Sequence, residues 1–204
     1  MIKTTILSFF LGIISFSSPL DTIIAQEWNF VKEENGVKLY SRSIDGFEFK
    51  EVKAILNLNI DMNKAKEFLL NPNNIEKWMS GCKMSIVKKS EGNKKEYYSI
   101  FDAPWPVSDR DDYGEMILAE DAPHKLRIDF RSLPHATPKV SSMVRVPYSK
   151  GHIVIRNNKD GSKELVYQFL VDRGGTLPNY IKEYLENSSP VKTVHQLKVV
   201  LEQL

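Results

Sequence analysis

The sequence predicts an α+β fold in which an antiparallel β-sheet with one apolar face is covered by a long C-terminal α-helix. Three observations lead there. Leu126, Ile128 and Phe130 alternate strictly with Lys125, Arg127, Asp129 and Arg131, the pattern of a sheet wetted on one side only. Val191, Val194, Leu197, Leu201 and Leu204 recur at three- and four-residue spacing against Lys192, Gln196, Glu202 and Gln203, which makes one apolar helix face in need of burial. Strand-like runs dominate the chain between, with no internal repeat or low-complexity linker, so a single domain from about residue 27 to 204 is expected.

Composition narrows the function classes. Among 204 residues, 42% are hydrophobic and 26% charged, with ten Gly and ten Pro, globular proportions that exclude a disordered, collagen-like or coiled-coil chain. The 28 basic and 26 acidic residues leave a formal charge of +2, too balanced for the electrostatic footprint of a nucleic-acid binder. A chain of this length holds a core without disulfides or structural metal, and Cys82 has no partner cysteine.

The first element is an address. Lys3 precedes an apolar run from Ile6 to Ile14 broken only by Ser8 and Gly12, followed by Ser15, Ser17, Ser18 and Pro19, and by Ala25 before Gln26. The run is far shorter than the roughly 20 residues that span a bilayer. It reads as a secretory signal peptide over residues 1–25, cleaved near Ala25, and the expected location is secreted or periplasmic.

Strands begin where Val37 and Leu39 alternate with Lys38 and Tyr40. Phe47 and Phe49 then fall on one parity but Val52, Ala54, Leu56, Leu58 and Ile60 on the other, and the switch near Lys50 and Glu51 suggests a β-bulge. Asp61 is placed to cap a helix with Met62, Ala65, Phe68 and Leu69 on one face, ending at Asn71 and Pro72. A further turn or two carries Ile75, Trp78 and Met79. Cys82, Met84 and Ile86 form an alternating apolar set that would bury the thiol. Strands are expected over 84–87, 96–101, 113–119, 125–131, 152–156 and 164–171, the last two joined by a hairpin turn at 157–161. The connection from Ser132 to Ser142, with Pro134 and Pro138, is irregular and of a length that is often functional. Tyr180/Ile181 and Tyr184/Leu185 mark a short helix, and a longer one starts with Ser189 as N-cap and Pro190 in its first turn.

Metal and covalent chemistry find no footing in the sequence. His124, His135, His152 and His195 fall in four different elements, with no two at ligand spacing. The Gly-x-Ser-x-Gly elbow and Gly-rich phosphate loops are absent. No cofactor is expected. The densest polar cluster runs from Asp102 through Trp105 and Arg110 to Asp112. It reads either as a solvated turn or as a site where Arg110 grips a polar group with its planar fork of donors.

The residues Ala103-Pro104-Trp105-Pro106-Val107-Ser108-Asp109-Arg110-Asp111 resemble the Pro-aromatic-Pro-x-Ser-x-Arg-Asp signature of START domains, the steroidogenic-regulatory-protein-related lipid-transfer family. Weaker similarities follow in register. They are Trp28 with Gly36-Val37-Lys38-Leu39-Tyr40, Ile75-Glu76-Lys77-Trp78, Met143-Val144-Arg145-Val146-Pro147, and Gly174-Gly175-Thr176-Leu177-Pro178 before the final helix. The resemblance implies a helix-grip fold, a curved sheet around a long C-terminal helix with an internal tunnel for one lipid. It also implies that the tunnel positions where relatives hold a carboxylate and an arginine carry Tyr97 and Met116 here, so the sterol-type polar pair is lost. Tyr97, Tyr98, Tyr113 and Tyr167 are then candidates to line a pocket or cage a cationic headgroup, or to serve as ordinary core.

Two functions from different classes follow. The first is a non-enzymatic, monomeric carrier for a lipid or other hydrophobic molecule, with transient membrane contact, lipid-binding residues Arg110, Trp105, Tyr97, Tyr113, Met116 and Tyr167, and the 132–142 loop and last helix as gate. The second is a helix-grip enzyme of the polyketide cyclase or hydrolase type, whose acid/base role would fall to Asp102, Glu115 or His152. A weaker third reading is an interaction module that binds a protein segment.

Overall fold

The computed structural model describes residues 26–204, so the expected signal peptide at 1–25 lies outside the described residues. The first hairpin joins β1 (Asn29–Glu34) to β2 (Val37–Arg42). Its turn residues Asn35 and Gly36 both have positive φ, 53° and 74°, the backbone that a two-residue turn between twisted strands requires. The sequence reading begins the sheet one strand later, at Val37, and Asn35-Gly36 is the signal for the extra one.

Beyond β2 the expected bulge is replaced by a turn. Residues 43–50 form no strand beyond an isolated bridge at Ile44, with the Phe47 amide donating to the Ile44 carbonyl at 3.1 Å and Gly46 at φ 83°. Strand β3 (Glu51–Leu58) then pairs with β2 without a register shift. The two apolar parities serve different neighbours. Phe47 stacks on Tyr148, 4.9 Å between ring centres, Phe49 joins Leu177 and Ile181 in a small separate cluster, and the β3 set enters the main core.

Asp61 caps α1 (Met62–Leu69) as expected, accepting from the Asn63 and Lys64 amides at 2.8 and 3.0 Å. A 3-10 turn at Pro72–Asn74 leads into the single turn α2 (Ile75–Trp78). The remaining strands are β4 (Cys82–Glu91), β5 (Lys94–Phe101), β6 (Arg110–Ala122), β7 (Lys125–Ser132), β8 (Val144–Arg145), β9 (Tyr148–Asn157) and β10 (Lys163–Asp172). They form one sheet in the order β1-β2-β3-β10-β9-β7-β6-β5-β4, antiparallel except for the short β8 beside β6.

In β4 the inward parity differs from the alternation Cys82, Met84, Ile86. A register shift between Cys82 and Met84 leaves Cys82 packed against the core but turns Met84 and Ile86 to the opposite face, with Ile86 exposed. Ser85 takes the inward place, receiving a hydrogen bond from Ser99 at 2.8 Å. The Cys82 thiol is half-buried, and burial pushes it up to about 11, an unreactive thiol at neutral pH.

The chain ends in a bent helix of 23 residues made of α3 (Asn179–Asn187) and α4 (Ser189–Leu201). Ser188, not Ser189, occupies the boundary, and its side chain makes no capping bond. Ser188 also ends α3, its amide donating to the Tyr184 carbonyl at 2.9 Å, so the two helices run on through this one residue. Val191, Val194, Leu197 and Leu201 are buried against β2, β3 and α2 as the spacing predicts. Leu204 is not, because the helix stops at Leu201 and leaves it exposed. Sheet and helix together form the α+β grip.

Candidate functional site

Between the inner face of the sheet and the start of α4 lies a chamber whose lining follows from strand alternation. On β5, Tyr97, Ser99 and Phe101 point inward, and the register Tyr97↔Gly114, Ser99↔Asp112, Phe101↔Arg110 puts Asp112 and Arg110 of β6 on the same wall. On β10 and just beyond it, Tyr167, Phe169, Val171 and Arg173 continue the wall at period two. Ile75, Met79, Ser189, Pro190 and Thr193 close it from the helical side. Gly114 has a definite reason to be Gly, since a Cβ there would lie 2.8 Å from the Tyr97 ring. Tyr167 is the centre of an aromatic cluster, 4.8 Å from Phe169, 5.8 Å from Phe130 and 6.0 Å from Trp78 between ring centres.

The chamber is narrow, with a volume of about 90 Å³, and a vestibule of about 470 Å³ adjoins it across a throat of shared lining residues. Ser80, Phe101, Arg110, Arg173 and Ser189 line both spaces. The outer vestibule is walled by Ala103 and Pro104 of the β5–β6 loop and by Leu177, Tyr180, Ile181, Tyr184 and Leu185 in and before α3.

Of the six residues proposed to bind lipid, three line the chamber: Arg110, Tyr97 and Tyr167. Met116 is buried in the core on the same face of β6, deeper than the lining. Tyr113 faces the other side of the sheet, its hydroxyl donating to Glu96 at 2.9 Å. Trp105 is 90% exposed on the β5–β6 loop. Asp112 and Arg173, which sequence reasoning did not single out, stand in the wall instead. Their signal was parity, two residues on from Arg110 and from Val171 respectively.

Charge in the chamber is unusual. Around Arg110 the acids look elsewhere: Asp109 receives Lys83 at 2.9 Å and the Ala103 amide at 3.1 Å, and Asp111 receives Arg145 at 2.7 Å. Arg110 donates to the carbonyls of Ser108 and Gly174, the latter at 3.3 Å, while its Nε has no partner. Gly174 reaches this position with φ of 66°, in the left-handed region that Gly tolerates. Burial lowers the Arg110 pKa against the opposing charge of Asp109, and burial pushes Arg173 down to about 10, with Tyr167 opposing and the like charge of Arg110 adding to it. Asp112 is almost wholly buried with Oδ1 unpartnered, and burial pushes its carboxyl up to about 7. Burial also raises the phenols of Tyr97 and Tyr167.

The three candidates for acid/base chemistry do not line the chamber. Asp102 is exposed and pairs with Lys83 at 2.7 Å. Glu115 and His152 lie on the outer face of the sheet, Glu115 held by Arg131 at 2.6 Å and His152 lowered by its burial. Among the described residues there is no group of three or more His, Cys, Asp or Glu placed to hold a metal, and no helix long and apolar enough to cross a membrane.

The 132–142 connection is irregular, as expected, and is held from beneath. Arg145 donates to the carbonyls of Pro134, Thr137 and Pro138 at 2.9, 3.3 and 3.2 Å.

Comparison with known proteins places this geometry. The sequence model of a family described as START domain matches residues 24–203. An uncharacterized protein of Pseudomonas aeruginosa is 25% identical over 180 residues, 88% of this chain and 89% of that protein. The crystal structure of a STAR-related lipid transfer protein fragment from Xanthomonas axonopodis shares the fold, with a TM-score of 0.77 and 24% identity over 86% of this chain and 99% of that one. An aromatase/cyclase from Streptomyces sp. R1128 shares it more distantly, at TM-score 0.53 and 14% identity over 75% of this chain and 92% of that one.

Proposed function

Because this chain belongs to the START domain family, we propose that it is a non-enzymatic carrier holding one hydrophobic ligand between sheet and helix. The observation that carries the reading is the chamber itself, a space walled by Tyr97, Phe101, Phe130, Tyr167 and Phe169 and sharing its throat residues with an adjoining, largely apolar vestibule. An apolar ligand leaving water for such walls gains about 0.8 kcal/mol for each methylene buried. That gain needs no catalytic group. With an inner volume of about 90 Å³, a long chain enters only as the vestibule, or a shift of α3 and the 102–109 loop, makes room for it.

The carrier acts outside the cytoplasm, as a monomer that touches membranes transiently. Support for export comes from the apolar run Ile6–Ile14 behind Lys3. Native mass spectrometry of protein purified from its own host tests both parts. It is expected to find a monomer beginning near Gln26 with one noncovalent lipid, and ligand-free protein from every preparation would overturn the carrier reading.

One observation favours an enzyme of the cyclase or hydrolase type: Asp112, a buried carboxyl facing the chamber with its pKa raised to about 7, suited to proton transfer. Among the described residues no His and no second carboxyl lines the chamber with it, its acid/base neighbour there being the Tyr97 phenol. Turnover of a bound aromatic or ester substrate that disappears in Asp112→Asn, with ligand retention unchanged, would establish that reading in place of the first.

A further inference from the structure

Two arginines stand in the throat, and neither is in an ion pair among the described residues. Each lines both the inner chamber and the vestibule, and each is lowered in pKa by burial. Asp109 and Asp111, the obvious counter-charges, are committed to Lys83 and Arg145. Arg110 is partly a brace, because it holds the Ser108 and Gly174 carbonyls. Arg173 has no such role, having no hydrogen-bond or ion-pair partner among the described residues. Cations drawn partly out of water without an ion-pair partner are costly, and Arg110, buried, and Arg173, half-buried, line one throat where a ligand can supply the negative charge.

We infer that the ligand is an acidic amphiphile whose carboxylate or phosphate is held at the throat by Arg110 and Arg173, with its apolar part against the aromatic walls and the Asp112 carboxyl as a third polar contact. Guanidinium forks match the paired oxygens of either anion. Burial raises the Asp112 carboxyl to about 7, so near neutrality its protonated form can donate there as well as accept. A zwitterionic or neutral headgroup would leave one or both arginines unanswered.

This inference rests on the carrier reading, and the test separates the two. Palmitate, methyl palmitate, palmitoyl lysophosphatidate and inorganic phosphate are titrated calorimetrically against the full mature chain stripped of lipid, as wild type, Arg173→Met and Arg173→Lys. In the wild type the two acids are expected to bind about tenfold to a hundredfold more tightly than the ester. Arg173→Met should remove most of that preference and leave the ester within about twofold, with Arg173→Lys between. Its melting temperature without ligand should equal or exceed that of the wild type, since a half-buried charge with no ion-pair partner is gone.

Equal binding of palmitate and its ester by the wild type, or equal loss of both in Arg173→Met, would overturn the headgroup inference and leave the carrier standing. Inorganic phosphate binding as tightly as palmitate would reassign the throat to a soluble anion. Binding of none of the three apolar probes would overturn the carrier reading and this inference with it.

Discussion

Asp111 and Arg145 face each other across the β6–β8 pairing at 2.7 Å, with 0% and 2% of their side chains exposed. The same carboxylate oxygen receives the Tyr98 hydroxyl at 3.2 Å, while the two Nη groups of the guanidinium also donate to the carbonyls of Pro134, Thr137 and Pro138. One contact therefore ties together the Arg-Asp motif, the Met143–Pro147 segment and the irregular connection between them. Arg145→Met should cost about 3–5 kcal/mol, because it strands a buried carboxylate. Chemical denaturation measures the loss, and limited proteolysis should find new cleavage within 132–142. A loss under about 1 kcal/mol would mean that the pair contributes little beyond its own desolvation.

Asp112 gives the protein a pH dependence of definite sign. Its carboxyl is pushed from 3.8 to about 7 by burial, with Asp111 adding repulsion and Arg145 opposing, and with Arg110, Arg173 and Tyr97 on the same wall. Between about pH 4 and 7 the unfolded chain loses this proton while the folded chain keeps it, so stability falls as pH rises through that window. The contribution at pH 8 is unfavourable by about 4 kcal/mol. Asp112→Asn is expected to flatten the slope and to be more stable than wild type at pH 8, as read from melting temperatures across pH. An unchanged slope would place the carboxyl in water.

Leu197 is the central contact of the terminal helix, fully buried in the core. Leu197→Ala should lose about 2–5 kcal/mol by equilibrium unfolding, and deleting residues 190–204 should abolish both folding and ligand retention. A stable deletion variant that still held lipid would show that the sheet alone makes the site.

Trp105 tests the membrane. At 90% exposed it packs on nothing that folding requires, so Trp105→Ala should change stability by less than about 0.5 kcal/mol. If the ring enters the lipid interface beside the vestibule, the same substitution should weaken partitioning into phospholipid vesicles by about tenfold or more. Sedimentation with vesicles reads this directly, and unchanged partitioning would remove the loop from the docking surface.

Much of the architecture could be read before any coordinates because burial leaves a period in the chain. Leu126-Ile128-Phe130 and Val191-Val194-Leu197-Leu201 announce a strand and a helix through spacing alone, and both are buried as that spacing demands, apart from a partly exposed Phe130. The misses arise where the period is interrupted. The register shift after Cys82 reverses which side of β4 is wet, and the turn at Gly46 separates Phe47 and Phe49 from the strand they seemed to begin. The site was harder to read for a related reason. Tyr97 and Tyr113 are equally plausible pocket residues by type, and only the pairing Tyr98↔Tyr113 places Tyr113 on the opposite face. Trp105 sits in a loop, where no period exists to orient it.

The pairing of β3 with β10 has a kinetic consequence. Every rung of that ladder, from Leu58↔Lys163 to Val52↔Phe169, joins residues more than a hundred positions apart. Hairpins such as β1–β2 and β4–β5 can zip locally within microseconds, but the sheet stays two fragments until its last strand arrives. Loop-closure entropy must be met before this seam yields any contact energy. The chain is therefore expected to fold slowly and late, with β2–β3 and β7–β9 presenting unpaired edges until β10 slots between them and α4 closes over the join.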